Sequence, residues 1–324
     1  MFHFKNTKEK SYSFYKKKIM KYCILFIGLL LVFSCSSDDS NTTNRQNLSF
    51  TDIYTIQADT LEMDMISNIG ENSIYISYSA DNGYNENLLK LNVNTLNTNE
   101  IILPDVAESR QIEIVNNNIF SLSGNDIFKL DLNLNLISTN NRYNESYLPR
   151  ITSRNNTIEI FRGINNILSY DILTDNYIYP SFPTNSNYFL RADVEIINDK
   201  LFTFGGLNYV NQNWVISNQI NIYNYALNSW SSQNLPFNVY ETFTDVYDNK
   251  IIVGGNKQNN QSNAFIGIYD PSNGSYTNFS TTINLNAISL RGLTVLNDEL
   301  YIAYLDYNSP LPNSLSIKIA KASL

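Results

Sequence analysis

The chain has 324 residues, with 22 Lys and Arg against 30 Asp and Glu, one histidine and two cysteines. The histidine is His3 and the cysteines are Cys23 and Cys35, so the long remainder has neither a histidine nor a second thiol. This excludes histidine general bases, Ser-His-Asp and Cys-His catalysis, histidine-bound zinc, copper or haem, and an internal disulfide there, and no cofactor is expected. Seven lysines and one acid (Glu9) fall within residues 1–34, which leaves 15 basic and 29 acidic side chains and a net charge of −14 in the rest. Nucleic-acid binding, which needs a basic surface to neutralise phosphates, is excluded on the same ground. Tyr, Ile and Phe favour strands and the abundant Asn favours turns, so an all-β domain is expected.

Residues 1–34 form an address. Lys16-Lys17-Lys18 and Lys21 make a basic start, and Tyr22 to Phe33 is an apolar run too short to span a bilayer. It ends in Val32-Phe33-Ser34-Cys35, which resembles the lipobox of bacterial lipoproteins, with Cys35 as the residue that is acylated. Met20 would serve equally as a start, because Met20 to Cys35 is a complete signal by itself. The acidic Ser36-Ser37-Asp38-Asp39-Ser40 resembles the surface-export signal of Bacteroidota lipoproteins. The resemblance implies an outer-membrane, lipid-anchored protein exposed at the cell surface. Residues 35–47 then read as the lipidated Cys and a polar tether, and 48–324 as the folded domain.

The domain repeats one unit: an apolar strand, an Asn/Asp turn, and a second strand opening on Ile or Leu. The turns and their following strands are Glu71-Asn72-Ser73-Ile74, Asn117-Asn118-Ile119, Asn156-Thr157-Ile158, Asp199-Lys200-Leu201, Asn249-Lys250-Ile251 and Asp298-Glu299-Leu300, spaced 39 to 50 residues apart. A third strand follows, as in Ile127-Phe128-Lys129-Leu130-Asp131 or Ile268-Tyr269-Asp270, and then a fourth. Pro104, Pro149, Pro183 and Pro236 end four of the units, where no ladder donor is needed. Four short strands per unit without helical periodicity predict a six-bladed β-propeller of four-stranded antiparallel blades, with a seven-bladed ring as the alternative. Leu48 to Ile56 and Leu315 to Ala320 are strands left over at the two ends; pairing them closes the ring and removes an open edge.

Blade four reads Leu201-Phe202-Thr203-Phe204-Gly205-Gly206, then Ile222-Tyr223-Asn224, then Asn228-Ser229-Trp230. Blade five repeats this with Gly254-Gly255, Tyr269-Asp270 and Tyr276 in the Trp place. These two units resemble kelch repeats, and the other four are degenerate. The resemblance implies a propeller related to the galactose oxidase and kelch group. The copper centre of galactose oxidase needs residues absent here; the sialic-acid mutarotases of the same group have an acidic-sugar substrate that an Arg-rich mouth would suit.

Arg110, Arg150, Arg191 and Arg291 lie near the start of the innermost strand in four blades, 9, 8, 10 and 9 residues before the Ile or Leu of strand two. In such a position they surround one mouth of the channel, where they grip a carboxylate, sulfate or acidic peptide, or else pair with acids of the next blade. The loops between strands two and three share that face. Leu207 to Asn218 is the longest and carries Tyr209 and Trp214; Tyr84 and Tyr307 lie on the corresponding loops of blades one and six. Aromatic rings beside Asn amides suit a sugar. Glu113 and Glu195 on innermost strands are the one carboxylate pair considered for acid/base work, and no catalytic residue is assigned.

These residues predict a monomeric envelope-anchored propeller that captures a glycan, or an outer-membrane or secreted protein, at its mouth. The alternatives are a sugar-active enzyme, either mutarotase-like or a carboxylate-based hydrolase or lyase, and a scaffold within an outer-membrane assembly. If Cys35 carries the anchor, Cys35→Ser moves the protein from the membrane fraction to the soluble fraction; unchanged fractionation contradicts the lipid anchor.

Overall fold

The computed structural model describes residues 46–58, 62–79, 85–104, 110–123, 126–140, 149–161, 167–178, 190–258, 262–307 and 315–324. Cys35 and Tyr84 lie outside them. The described residues belong to one compact unit, Gln46–Leu324.

Six antiparallel sheets stand side by side as four-stranded blades, the fourth with an added short strand, Leu207–Val210. Their inner strands are Asp64–Asn68, Arg110–Val115, Arg150–Arg154, Val194–Ile197, Glu241–Tyr247 and Ile288–Leu296, one for each blade in chain order. Each packs against the inner strand of the next blade, and the sixth packs against the first, so the ring is closed. The fold is a six-bladed β-propeller.

Closure follows the expected route. Thr51–Ala58 pairs antiparallel with Leu315–Ser323, Thr51 opposite Lys321 and Ala58 opposite Leu315. The N-terminal strand is thus the outermost strand of blade six, whose other three strands come from the C-terminal end. Asn47–Leu48 adds a short parallel pairing with Ser280–Thr281, and Leu48 is fully buried.

The abundant Asn and Asp explain the hairpins. Asn116-Asn117, Asn198-Asp199, Asp248-Asn249 and Asn297-Asp298 each join the first two strands of a blade, and all eight residues have φ between 47° and 60°. Two successive left-handed residues define the type I′ turn, whose twist matches that of the flanking strands, and Asn and Asp tolerate it better than other non-glycine residues.

Between the blades lie the apolar faces that a single sheet leaves bare. Tyr75, Leu88, Ile119 and Phe128 pack blade one on blade two, and Phe202, Phe204, Ile251 and Tyr269 pack blade four on blade five. Side chains in or just before the inner strands add polar clamps. Asp64 Oδ2 accepts from the backbone N–H of Ile112 at 2.9 Å, Asp193 Oδ2 from that of Thr244 at 2.6 Å, and Asp245 Oδ2 from that of Val295 at 2.7 Å. Each clamp joins one blade to the next at the edge where the inner strands have no ladder partner.

The kelch signatures have physical causes. Trp230 lies opposite Tyr223 across strands three and four, as Tyr276 lies opposite Tyr269, so Tyr276 does occupy the Trp place. Gly206 adopts φ 81°, and a Cβ there would come 2.5 Å from the carbonyl oxygen of Leu190. At Gly255 the need is close approach: a Cβ would lie 2.1 Å from the carbonyl oxygen of Glu241.

Two expectations are corrected. The segment Leu207 to Asn218 is a β-ribbon and not a loop: Leu207–Val210 pairs with the first part of Asn213–Asn224 around a turn at Asn211 and Gln212. Pro236 does not end its unit but lies within the strand Ser229–Val239. It falls between Asn234 and Val239, where the register with strand three shifts, so no ladder donor is missed.

Candidate functional site

The mouth is built from the chain on either side of the inner-strand starts. Arg150 opens its strand opposite Phe161, Arg110 opens its strand opposite Ser123, Arg291 sits in a register shift between Leu290 and Gly292, and Arg191 precedes Val194–Ile197. The four are therefore not at one structural register, although their spacing in sequence is nearly constant. The backbone of Arg110 is described, but its side chain lies outside the described residues.

The other three converge on one acid. Arg191 Nη1 donates to Glu241 Oε1 at 3.0 Å, Arg150 Nη2 lies 3.7 Å from the same oxygen, and Arg291 Nη1 lies 3.7 Å from Oε2. Asn256 Nδ2 also donates to Oε2, at 3.3 Å. A second acid, Glu62, accepts from Arg191 Nη2 at 3.2 Å. The pairing alternative raised by the sequence is thus half realised. The arginines do meet acids, but the acid is shared and three guanidiniums face two carboxylates.

That excess shows in the hydrogen bonds. Arg150 and Arg291 are 6% and 3% exposed. Their Nε atoms, and Nη2 of Arg291, are buried without a hydrogen-bond partner among the described residues. A buried guanidinium N–H normally has a partner, because leaving one unmade forfeits hydration. Packing holds the cations in place: the Arg150 guanidinium lies 5.9 Å from the Phe243 ring centre and that of Arg191 5.2 Å from Tyr240. Arg191 has φ 62°, a left-handed backbone that costs a residue with a Cβ of order 1–3 kcal/mol and concentrates at functional sites. Burial opposes its charge, but the carboxylates of Glu241 and Glu62 outweigh burial and raise its pKa.

Below the arginines the channel turns acidic. A cavity of about 100 Å³ is lined by Asp64, Glu113, Asp193, Glu195 and Asp245, with Thr152 and Thr244 between them. Burial pushes Asp64 and Glu113 up to about 8. Asp193, Glu195 and Asp245 are raised for the same first reason, Glu195 strongly and with added repulsion from Asp245 and Glu113. Arg150 opposes the rise at both Asp64 and Asp193, so its field links the mouth to the channel. Glu113 and Glu195 thus both reach the channel, as members of a group of five. Among the described residues no group of three or more His, Cys, Asp or Glu is arranged to hold a metal ion.

The aromatic candidates separate. Tyr209 and Trp214 face each other across the ribbon with ring centres 5.0 Å apart, and they are 42% and 48% exposed. The ribbon also exposes Val210 and Val215. Tyr307 follows strand two of blade six, and its backbone N–H donates to the carbonyl of Ala287 at 3.2 Å. Sequence reasoning missed Glu241 and Glu62, the two acids of the mouth. The available signal was local: Glu241 stands just before Thr242, in the one blade after the first that has no arginine at its strand start.

No protein-family model matches the chain, and no curated protein matches it. Among solved structures it is similar to one described as "Structure of YjhT", with 17% identity and a TM-score of 0.41 over 51% of this chain. The match spans 66% of that protein, just under two thirds of its length.

Two predictions follow from the charges. Glu241→Gln leaves three guanidiniums around a neutral amide and costs about 3–5 kcal/mol of stability, whereas Arg191→Ala removes one hydrogen bond to Glu241 but leaves it Arg150 and Arg291 at 3.7 Å, and costs less, about 1.5–3 kcal/mol; chemical denaturation measures both. The channel carboxyls have folded-state pKa values above their unfolded ones. Their stabilisation is therefore full below pH 4 and lost as pH rises through about 8. The unfolding free energy falls between pH 5 and pH 8, by up to about 1.4 kcal/mol per pH unit for each carboxyl, which lowers the thermal midpoint, and Asp64→Asn flattens the slope.

Proposed function

We propose that the protein is a lipid-anchored, surface-exposed binding protein of the cell envelope that captures an acidic glycan at the propeller mouth. The observation that supports this most is the pair of buried arginines, Arg150 and Arg291, whose Nε–H groups point to no acceptor among the described residues. A carboxylate or sulfate has the charge and the paired oxygens to meet such donors, and binding then removes two defects at once: the excess positive charge and the unmade hydrogen bonds.

The sugar part of the ligand has its own surface. Tyr209 and Trp214 form a half-exposed aromatic pair on a ribbon that rises from blade four, the blade that also supplies Arg191. Asn208 lies opposite Val215 on the other face of the same ribbon. Apolar ring faces stacked on flat aromatic groups, with an anion fixed nearby, give both affinity and orientation. The anchor at Cys35 rests on the lipobox resemblance alone.

A sugar-active enzyme is the second reading. It is favoured by the carboxyls beneath the mouth, which burial keeps protonated near neutral pH and which are therefore able to donate a proton.

A thermal-shift comparison tests the binding reading. D-glucuronate and D-glucose differ at one carbon, a carboxylate against a hydroxymethyl group. At 100 times its Kd a ligand adds about 2.7 kcal/mol. Stabilisation by glucuronate but not glucose is expected; equal shifts, or shifts with neutral sugars alone, move the site to the aromatic ribbon. Product analysis of any sugar that binds separates binder from enzyme.

A further inference from the structure

One contact in the mouth crosses the ring. Glu62 lies two residues before the inner strand of blade one, and Arg191 lies three residues before that of blade four. Those blades stand opposite each other in a ring of six, yet Arg191 Nη2 donates to Glu62 Oε1 at 3.2 Å. In the sequence Glu62 falls between Thr51–Ala58, the outer strand of blade six, and Asp64–Asn68, the inner strand of blade one.

The two acids on Arg191 are held very differently. The Glu241 side chain is 5% exposed, is surrounded by three guanidiniums and accepts from Asn256 as well. The Glu62 side chain is 28% exposed and makes no hydrogen bond other than that to Arg191 among the described residues. Glu241 is part of the floor. Glu62 occupies the outer face of Arg191, the most accessible of the three cations, as a bound carboxylate would.

We infer that Glu62 is a latch: an internal carboxylate that covers Arg191 and is displaced by the anionic group of the ligand. The inference rests on the anion-binding reading above and adds how that site is kept closed. With Glu62 in place the three arginines and two acids sum to +1, and with Glu62 displaced the floor carries +2. The latch gives the strained Arg191 a second carboxylate beside Glu241 in the empty protein and selects against neutral ligands, which cannot replace a carboxylate. The side chains of the pair are 20% and 28% exposed, and Arg191 keeps its hydrogen bond to Glu241 when Glu62 leaves, so the ligand has a replaceable competitor to remove.

The test uses the full chain and Glu62→Gln, with two readouts. The first is the rate at which phenylglyoxal modifies Arg191, followed by mass spectrometry, which needs no ligand. The second is calorimetric titration with D-glucuronate. In E62Q, Arg191 is expected to react several-fold faster, and glucuronate to bind about two- to fivefold tighter, the range set by a pair of this exposure. An unchanged modification rate overturns the latch whatever the ligand. Weaker glucuronate binding in E62Q overturns it too, because Glu62 would then be holding the ligand. Faster modification without glucuronate binding to either protein keeps the latch and overturns the anion-binding reading for that sugar. Should E62Q not fold, Glu62→Asp keeps the charge but shortens the reach, and the same faster modification is expected.

Discussion

A four-stranded sheet with two apolar faces cannot stand alone in water, and this constraint organises the whole molecule. Each blade here is covered by its neighbours, so the sheets have to close into a ring, and the last gap is filled by the N-terminal strand lying on the C-terminal one. Closure brings six inner-strand starts to one mouth. Residues 62, 150, 191, 241 and 291, spread over most of the sequence, become neighbours for that reason alone.

Charge is then layered along the channel. The upper layer holds three guanidiniums on Glu241; the layer beneath holds five carboxyls around a small polar cavity. Each layer is expensive to bury and each is stabilised in its own way. Aromatic rings and a shared acid hold the cations, while backbone N–H groups of the next blade and retained protons hold the acids. Arg150 belongs to both layers, so events at the mouth are felt by Asp64 and Asp193. Charge that packing does not need, kept at a mouth, supports the proposed binding role.

Much of the fold was legible in the sequence because its period is local. Asn-Asn and Asn-Asp turns, the strand-two Ile or Leu and the Tyr–Trp pair of blade four each lie within one blade, and neighbouring residues dictate them. Ring closure was legible as well, since two unmatched strands remained. The site was only partly so. The arginines stood out by their rarity, but Glu62 comes from a segment with no repeat signature, and nothing local marks it as reaching blade four. The ribbon of Tyr209 and Trp214 read as a loop because Asn211 and Gln212 turn the chain without glycine or proline.

The central claim is that Arg150 and Arg291 hold their unmade hydrogen bonds for an anion. A crystal structure of the protein with D-glucuronate tests it directly. The account predicts the carboxylate within hydrogen-bonding distance of Arg150 Nε and of Arg291 Nε or Nη2, with Glu62 moved off Arg191. A sugar bound elsewhere, with those nitrogens satisfied by ordered water or by the protein's own acceptors, would contradict it.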